Sequence, residues 1–366
     1  MRARRSGRRP TMTDVGKLAG VSQSSVSLVL NGMTGARIAE ATKERVREAA
    51  RALGYEPTRR KAPDGGLPAA SRGRNVIAYL VDEVSTSPHP PVTIDGAREA
   101  AWEAGCLLAV MATSGDHDLE AATVEAALAD PALLGVVYST IFTRQVTLPG
   151  RLDAAGMPVV LLNCQTQDRR HPSVVPGEVA GGYAATERLL RAGHRRVGLI
   201  GGEPWMDASR DRLKGYRQAL ATFDVAFDPA LVHDGDWHAG TGHAMAHELM
   251  RLDRPPTALF CASDLMAVGA LTALRELGLG VPGDVAVVGY DDQEIARHTR
   301  PALTTVLLPN YEMGRWAVET LLAMARGGNG GATVARHPQV KMECPLVERD
   351  SVGPAADERA DEQRSA

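Results

Sequence analysis

The stretch Thr11-Met-Thr-Asp-Val-Gly-Lys-Leu-Ala-Gly-Val-Ser-Gln-Ser-Ser-Val-Ser-Leu-Val-Leu-Asn-Gly32 decides how the rest of the chain is read. Val15, Leu18 and Ala19 recur at helical spacing, so a first helix is expected over Thr13–Ala19, capped by Thr11 or Thr13 with Asp14 in its first turn. Gly20 breaks that helix, and Val21 can plug the angle to the next. Ser22 is a good N-cap for a second helix, Gln23–Asn31, which buries Val26, Val29 and Leu30. The opposite face then shows Gln23, Ser24, Ser27 and Leu28, whose amide and hydroxyl groups are of the kind that reach base edges. Gly32 and Gly35 punctuate a loop. A third helix over Ala39–Leu53 turns Val46, Ala49, Ala50 and Leu53 inward, and Gly54 stops it. Two helices joined by a Gly-containing turn, the second rich in Ser and Gln, fit a helix-turn-helix.

Charge supports this reading. The 366 residues carry a net charge of −3, but residues 1–74 hold 16 Lys or Arg against 6 Asp or Glu. The remaining 292 residues are correspondingly acidic, with 25 basic against 38 acidic side chains. A basic head attracts phosphate backbones regardless of sequence. Hydrophobic residues make up 44% of the chain and charged residues 23%, which allows a large core and excludes global disorder. The four cysteines, Cys106, Cys164, Cys261 and Cys344, form no CxxC pair, so neither a zinc ribbon nor a disulfide framework is supported. No apolar run reaches the roughly 18 residues of a membrane span, and the basic start is followed by no apolar segment of a secretory signal. A cytoplasmic location without membrane contact is the expectation.

Beyond the head, apolar runs of strand length alternate with helical patterns. Strands are expected at Val76–Val81, Cys106–Met111, Gly135–Tyr138, Val159–Leu162 and Ser173–Val175, then at Arg196–Ile200, Ala258–Cys261 and Val285–Val288. Helices are expected near 93–104, 118–129, 178–192, 208–222, 240–251 and 264–277. Such alternation means parallel sheets covered by helices, here two doubly wound subdomains with a ligand cleft at the strand carboxyl ends. The fold class is therefore a small all-α head joined to an α/β body.

The wording of the head, continued by Thr42-Lys-Glu-Arg-Val46 and Leu53-Gly-Tyr-Glu-Pro57, resembles the LacI/GalR family of bacterial repressors. The body resembles it too, in Pro255-Pro-Thr-Ala-Leu-Phe-Cys-Ala-Ser-Asp-Leu-Met-Ala-Val-Gly-Ala270, Val281-Pro-Gly-Asp-Val-Ala-Val-Val-Gly-Tyr-Asp-Asp292 and Pro301-Ala-Leu-Thr-Thr-Val306. The likeness covers about residues 11–350. It implies a basic arm (1–10), a helix-turn-helix domain (11–57), a linker (58–74), a periplasmic-binding-protein-like effector and dimerisation domain (75–350) and a disordered tail (351–366). Within the body it implies one subdomain of about 75–174 and 307–335 and a second of about 175–306 and 336–350.

The resemblance further implies a homodimer on a pseudo-palindromic DNA operator. Its DNA-facing set comprises Thr11, Thr13, Ser22, Gln23, Ser24, Ser25, Ser27, Leu28 and Asn31. Gln23 and Ser24 match the main base-reading positions, and Ser27 and Asn31 match positions that hold phosphate or brace the turn. Leu28 stands where many relatives carry a polar reader; it can pack on a thymine methyl but cannot donate to guanine. The linker departs from the family: Pro63, Gly65, Gly66 and Pro68 oppose the usual hinge helix, and Leu67 is the candidate minor-groove wedge.

For the effector, Arg212 in Ser209-Arg-Asp-Arg-Leu-Lys-Gly-Tyr216 matches the family's binding Arg, whose fork can donate to two ligand oxygens. Trp237, at the end of a strand, matches a sugar-stacking position, and Asp291 matches a hydroxyl-accepting Asp. Ser263 stands where many relatives have Asn, and Asp264 is read as the cap of the next helix. Asp82, Asn163 and Asn310 are placed at the cleft, with Trp205 as a second ring at its mouth. An acid, an Arg, an amide and an indole suit a neutral sugar. A purine or a sugar phosphate is the alternative effector, and a transport sugar-binding protein the alternative function.

Enzyme and cofactor readings lack their residues. There is no phosphate loop, dinucleotide fingerprint or nucleophile elbow, and Asp291 and Asp292 are adjacent and point apart. His243 and His247 lie four apart with Glu248 beside them, but with no HExxH and no apparent third ligand they read as an exposed helical face. No cofactor and no metal are expected.

Overall fold

The computed structural model describes residues 12–21, 26, 29–30, 40–55, 75–85, 87–327, 337 and 339–355. Residues 1–65 and 66–366 form two compact units. In the first, α1 (Met12–Ala19) packs on α2 (Glu40–Leu53). Their seam buries Val15, Ala19, Val46, Ala49 and Ala50 together with Val26 and Val29, which lie on helical backbone. Leu18 departs from the expected stripe and stands 56% exposed, and Leu53 is also outward. Gly20 takes a φ of 66°, a left-handed conformation that suits a residue without a Cβ, and the Val21 N–H closes the end of α1 on the Gly16 carbonyl at 3.0 Å. The backbone of Thr13 lies in α1. Thr11, Ser22, Gln23, Ser24, Ser25, Ser27, Leu28 and Asn31 lie outside the described residues, as do the arm 1–10 and the linker 58–74 with Leu67.

The larger unit contains two parallel sheets. The first is formed by β1 (Val76–Val81), β2 (Leu107–Ala112), β3 (Leu133–Gln145), β4 (Val159–Gln165), β5 (Ser173–Pro176) and β11 (Gln339–Met342), in the order β11-β5-β4-β3-β1-β2. Helices α3 (His89–Glu103), α4 (His117–Leu128), α5 (Gly150–Asp153) and α11 (Asn310–Arg326) accompany it. The second sheet comprises β6 (Val197–Ile200), β7 (Val232–His233), β8 (Ala258–Cys261) and β9 (Ala286–Val288), in the order β7-β6-β8-β9. It is covered by α6 (Glu178–Arg191), α7 (Asp207–Thr222), α8 (Ala239–Met250), α9 (Asp264–Glu276) and α10 (Ile295–His298). Strands β10 (Thr305–Val306) and β12 (Leu346–Val347) pair antiparallel beside it.

Each sheet is apolar on both faces because helices cover both. Along β1, Ile77, Tyr79 and Val81 enter one cluster with α3 and α11, while Ala78 and Leu80 enter another with Val124 of α4. Across the second sheet, Leu199, Phe260 and Val288 face α6 and α7, whereas Ile200, Leu259 and Val287 face α8 and α9. This two-residue alternation explains why strands buried on both sides read as continuous apolar runs.

The chain passes between the sheets three times: after β5, after β10 and after β11. The last passage corrects the expected boundary, which placed 336–350 in the second subdomain. Gln339–Met342 instead lies in register with Ser173–Pro176 at the edge of the first sheet. Residues 351–355 also depart from the expected disordered tail. The Ser351 hydroxyl donates to the Val287 carbonyl at 2.6 Å and accepts from the Thr304 N–H at 2.8 Å, and the Ala355 N–H donates to Ala192.

Candidate functional site

A cavity of about 290 Å³ opens where the carboxyl ends of the strands of both sheets meet. Its lining combines residues from α3, β3, β4 and α11 on one side with residues from α6, α7, α9 and the loops after β7 and β9 on the other.

The second wall is the charged one. Arg212 of α7 is almost wholly buried and fork-paired to Glu178, with Nε donating to Oε2 at 2.8 Å and Nη2 to Oε1 at 3.0 Å. Its Nη1 donates to the Ala262 carbonyl. The guanidinium lies over Tyr290, its Cζ 3.7 Å from the ring centroid, and 5.4 Å from that of Trp237. Burial pulls its pKa down, but Glu178, Tyr290 and Asp291 together more than offset this and drive it up, so the site keeps a fixed positive charge. The fork is held because α6 and α7 approach through two glycines. A Cβ on Gly182 would sit 2.4 Å from the Arg212 carbonyl oxygen, and one on Gly215 would sit 2.2 Å from that of Val179.

Trp237 takes a φ of 71°, and its ring lies against the backbone of Gly202, where an added Cβ would fall 2.1 Å from the ring. The indole N–H donates to the Met206 sulfur at 3.2 Å, and the Ser263 hydroxyl donates to the Trp237 carbonyl at 3.3 Å. The aromatic face is therefore fixed before any ligand arrives. Asp291, with φ 112°, ends the run after β9, and its N–H donates to Val306 at 2.7 Å. Its carboxylate accepts from the Gln293 amide at 2.9 Å and lies 3.8 Å from Arg212 and 3.7 Å from His89 of the opposite wall. Burial raises its pKa, with His89 and Arg212 opposing the rise.

The first wall is largely neutral. Ile141, Phe142 and Thr143 come from β3, Asn163 from β4, and Asn310 from the start of α11. The Asn310 amide meets His89 Nδ1 at 3.2 Å. Asn163 has a φ of 57°, and its buried Oδ1 has no hydrogen-bond partner among the described residues. Such an orphaned acceptor is costly unless something donates to it.

Of the residues singled out in the sequence, Asn163, Arg212, Trp237, Ser263, Asp291 and Asn310 line this cavity, and three do not. Asp82 is turned back into its own wall, accepting from the Ile141 N–H at 2.8 Å and pairing with Arg144 at 2.9 Å. Trp205 is 58% exposed and one ring removed, with its edge meeting the cavity residue Phe142 at a centroid distance of 6.1 Å. Asp264 is fully buried beneath the site, accepting from Thr305 Oγ1 at 2.6 Å and the Gln293 N–H at 2.8 Å. Burial, then the nearby Asp291 charge, holds its pKa well above the usual carboxylate range. The cap of α9 is Ser263, whose hydroxyl accepts from the Met266 N–H at 3.1 Å.

Asp291 and Asp292 do turn apart: Asp292 pairs with Arg349, and with Arg297 at 3.5 Å. The sequence reading missed Glu178, His89, Phe142 and Gln293. Glu178 carries the only hint, as an acidic residue in a first helical turn, and that is too common a signal to single it out. Among the described residues no helix is long and apolar enough to cross a membrane.

Comparison with known proteins agrees with this geometry. Residues 11–58 match the bacterial regulatory proteins of the lacI family, and residues 186–352 match the periplasmic binding protein-like domain. The chain is 37% identical over 335 residues to the HTH-type transcriptional regulator CelR of Thermobifida fusca, covering 87% of this chain and 93% of that one. It is 30% identical to the HTH-type transcriptional repressor CytR of Escherichia coli (strain K12), covering 96% and 98%. Among solved structures, a complex of the regulator CelR with cellobiose is similar at TM-score 0.65 and 32% identity, over 94% of this chain and all of that one. The lac repressor dimer bound to operator and an anti-inducer is similar at TM-score 0.64 and 26% identity, over 94% and 100%. A helical head of this wording, a body of two parallel sheets around a cleft, and likeness over nearly the full length of both regulators place the chain in the LacI family of bacterial regulatory proteins.

Proposed function

We propose that the protein is an operator-binding repressor of carbohydrate-use genes, acting as a homodimer and controlled by a neutral sugar of disaccharide size in the cleft. The observation that carries this reading is the pre-set wall of Trp237, Arg212 and Asp291. A flat ring backed by Gly202 offers a stacking face, a buried guanidinium offers its remaining donors, and a buried carboxylate offers acceptors. Glu178, Glu203, Asp236 and Asp291 against Arg212 give this wall a carboxylate excess, which disfavours phosphorylated ligands. The similar regulator that was solved with cellobiose supports a β-linked disaccharide. In the head, Gln23 and Ser24 read base edges and Ser27 and Asn31 hold phosphate. Sugar binding shifts the body between two states, and a coupling of about 1–3 kcal/mol changes operator affinity roughly 5–150-fold.

Thermal unfolding against cellobiose, other neutral disaccharides, monosaccharides, sugar phosphates and purine nucleosides tests the cleft. At a hundred times Kd the stabilisation approaches about 2.7 kcal/mol. A response to a neutral disaccharide that changes operator binding supports the reading. A response confined to a nucleoside or a phosphate overturns the sugar assignment. For the head, Gln23→Ala lowers specific binding much more than non-specific binding, and equal loss in both refutes the assigned reader.

A further inference from the structure

The two histidines that the sequence leaves on an exposed helical face acquire a partner from the neighbouring helix. His243 and His247 lie one turn apart on α8, with ring centroids 4.7 Å apart. Their Nε2 atoms converge on one carboxylate oxygen, Glu276 Oε2 at the end of α9, at 2.8 Å and 3.3 Å. The three donor atoms all lie within 4.8 Å of one another. Glu248, the acid beside them in sequence, is instead turned to Arg251 at 2.7 Å. We propose that His243, His247 and Glu276 form a binding site for a borderline divalent transition ion, zinc above all.

The donor set fits such an ion. Two imidazoles and a carboxylate are the ligand types zinc takes, at bond lengths of about 2.0–2.2 Å. Tetrahedral bonds of that length place neighbouring donors roughly 3.3 Å apart, close to the two separations from Glu276. The ion takes the place of the hydrogen bonds that link each ring to the carboxylate, so binding uses side chains that already converge and requires no new fold. Nitrogen donors disfavour magnesium and calcium, which select all-oxygen cages. With three protein ligands, one position remains for water.

The site also has a rigid base. A Cβ on Gly242 would sit 2.1 Å from the Met266 carbonyl oxygen, and one on Gly269 would sit 1.9 Å from that of Ala239, so α8 and α9 touch through their backbones. His243 and His247 therefore face Glu276 across an interhelical distance that side-chain motion does not set. A bound ion clips together the two helices whose N-terminal ends, at the cap His238 and at Leu265, line the cleft.

The test uses tag-free full-length protein titrated with cobalt(II) as a spectroscopic stand-in for zinc, followed by zinc competition. The expected result is one ion per chain, with the visible bands of a four-coordinate site and displacement by zinc. His243→Ala, His247→Ala and Glu276→Gln should each weaken binding by at least about tenfold, since even residues that only orient a ligand cost that much. His117→Ala, on another exposed helix, should leave it unchanged. Thermal stability should rise with zinc concentration in the parent and not in the His243→Ala/His247→Ala pair, and magnesium should do nothing. The proposal is overturned if the double variant takes up the ion as tightly as the parent, or if the parent takes up none; the three side chains are then only a hydrogen-bonded surface cluster.

Discussion

The cleft wall built from α6, α7 and the loops after β7 and β9 holds Glu178, Arg212, Asp236 and Asp291. The wall built from α3, β3, β4 and α11 holds Phe142, Thr143, Asn163 and Asn310, with His89 as its ionisable group among the lining residues. On the first of these, Arg212 is already paired with Glu178 and lies beside Asp291, and the ring is already seated. On the other, a buried amide oxygen is left without a donor among the described residues. The difference separates two tasks. Fixed charges in a low-dielectric site can orient a polar ligand without reorganising, whereas unsatisfied neutral groups reward only a ligand that reaches them.

If that division is correct, the most damaging single change is Arg212→Ala. It strands the buried Glu178 carboxylate, and denaturant unfolding should show a loss of about 3–5 kcal/mol together with loss of any sugar response. A loss below about 1 kcal/mol would mean that solvent reaches Glu178 and that the wall is not pre-paired. Trp237→Ala removes the stacking face and should weaken sugar binding by about 1.5–3 kcal/mol, tenfold or more, as read by calorimetry. Gly202→Ala should reproduce part of that loss by displacing the ring without deleting it.

On the neutral wall, Asn163→Gly removes the amide while tolerating the local φ of 57°. Affinity should fall by about 1 kcal/mol with stability unchanged or raised, the opposite pattern to Arg212→Ala. Equal behaviour of the two variants would erase the distinction between the walls.

A different kind of effect, read only against pH, concerns Asp264. Its pKa is raised in the folded protein, so its contribution to stability is present below the ordinary carboxylate range and is lost as pH rises through the raised value. Asp264→Asn lacks this loss. Its stability relative to the parent should therefore shift in the variant's favour from about pH 4 toward neutrality, as followed by unfolding across that range.

Most of the fold could be read from apolar periodicity because both sheets are covered on both faces. Ala258–Cys261 and Val76–Val81 are uninterrupted apolar runs, and their limits came out as expected. The edge strand Gln339–Met342 carried no such signal. It is half-buried, contains Lys341 and is set by pairing to Ser173–Pro176, a contact between segments far apart in sequence. The site divides the same way. Arg212, Trp237 and Asp291 could be found through family resemblance, but Glu178 is an ordinary first-turn acid until α6 and α7 close on their glycines. Glu276 likewise meets His243 and His247 only through the packing of α8 on α9. Asp264, read as a cap, is drawn inward by Thr305 and Gln293, while the neighbouring hydroxyl of Ser263 takes the capping role.

The three passages between the sheets also constrain the order of biosynthesis. The apolar side of α3, with Ala97, Ala100 and Ala101, is covered by Met313, Ala317 and Val318 of α11, and the first sheet gains its last strand only at residue 342. As the chain leaves the ribosome, the half that begins first cannot close until nearly the whole polypeptide has been made. Both halves are thus completed together, and a nascent chain arrested at residue 306 should expose that helix face to protease or chaperone although β1 to β5 of the first sheet have been made.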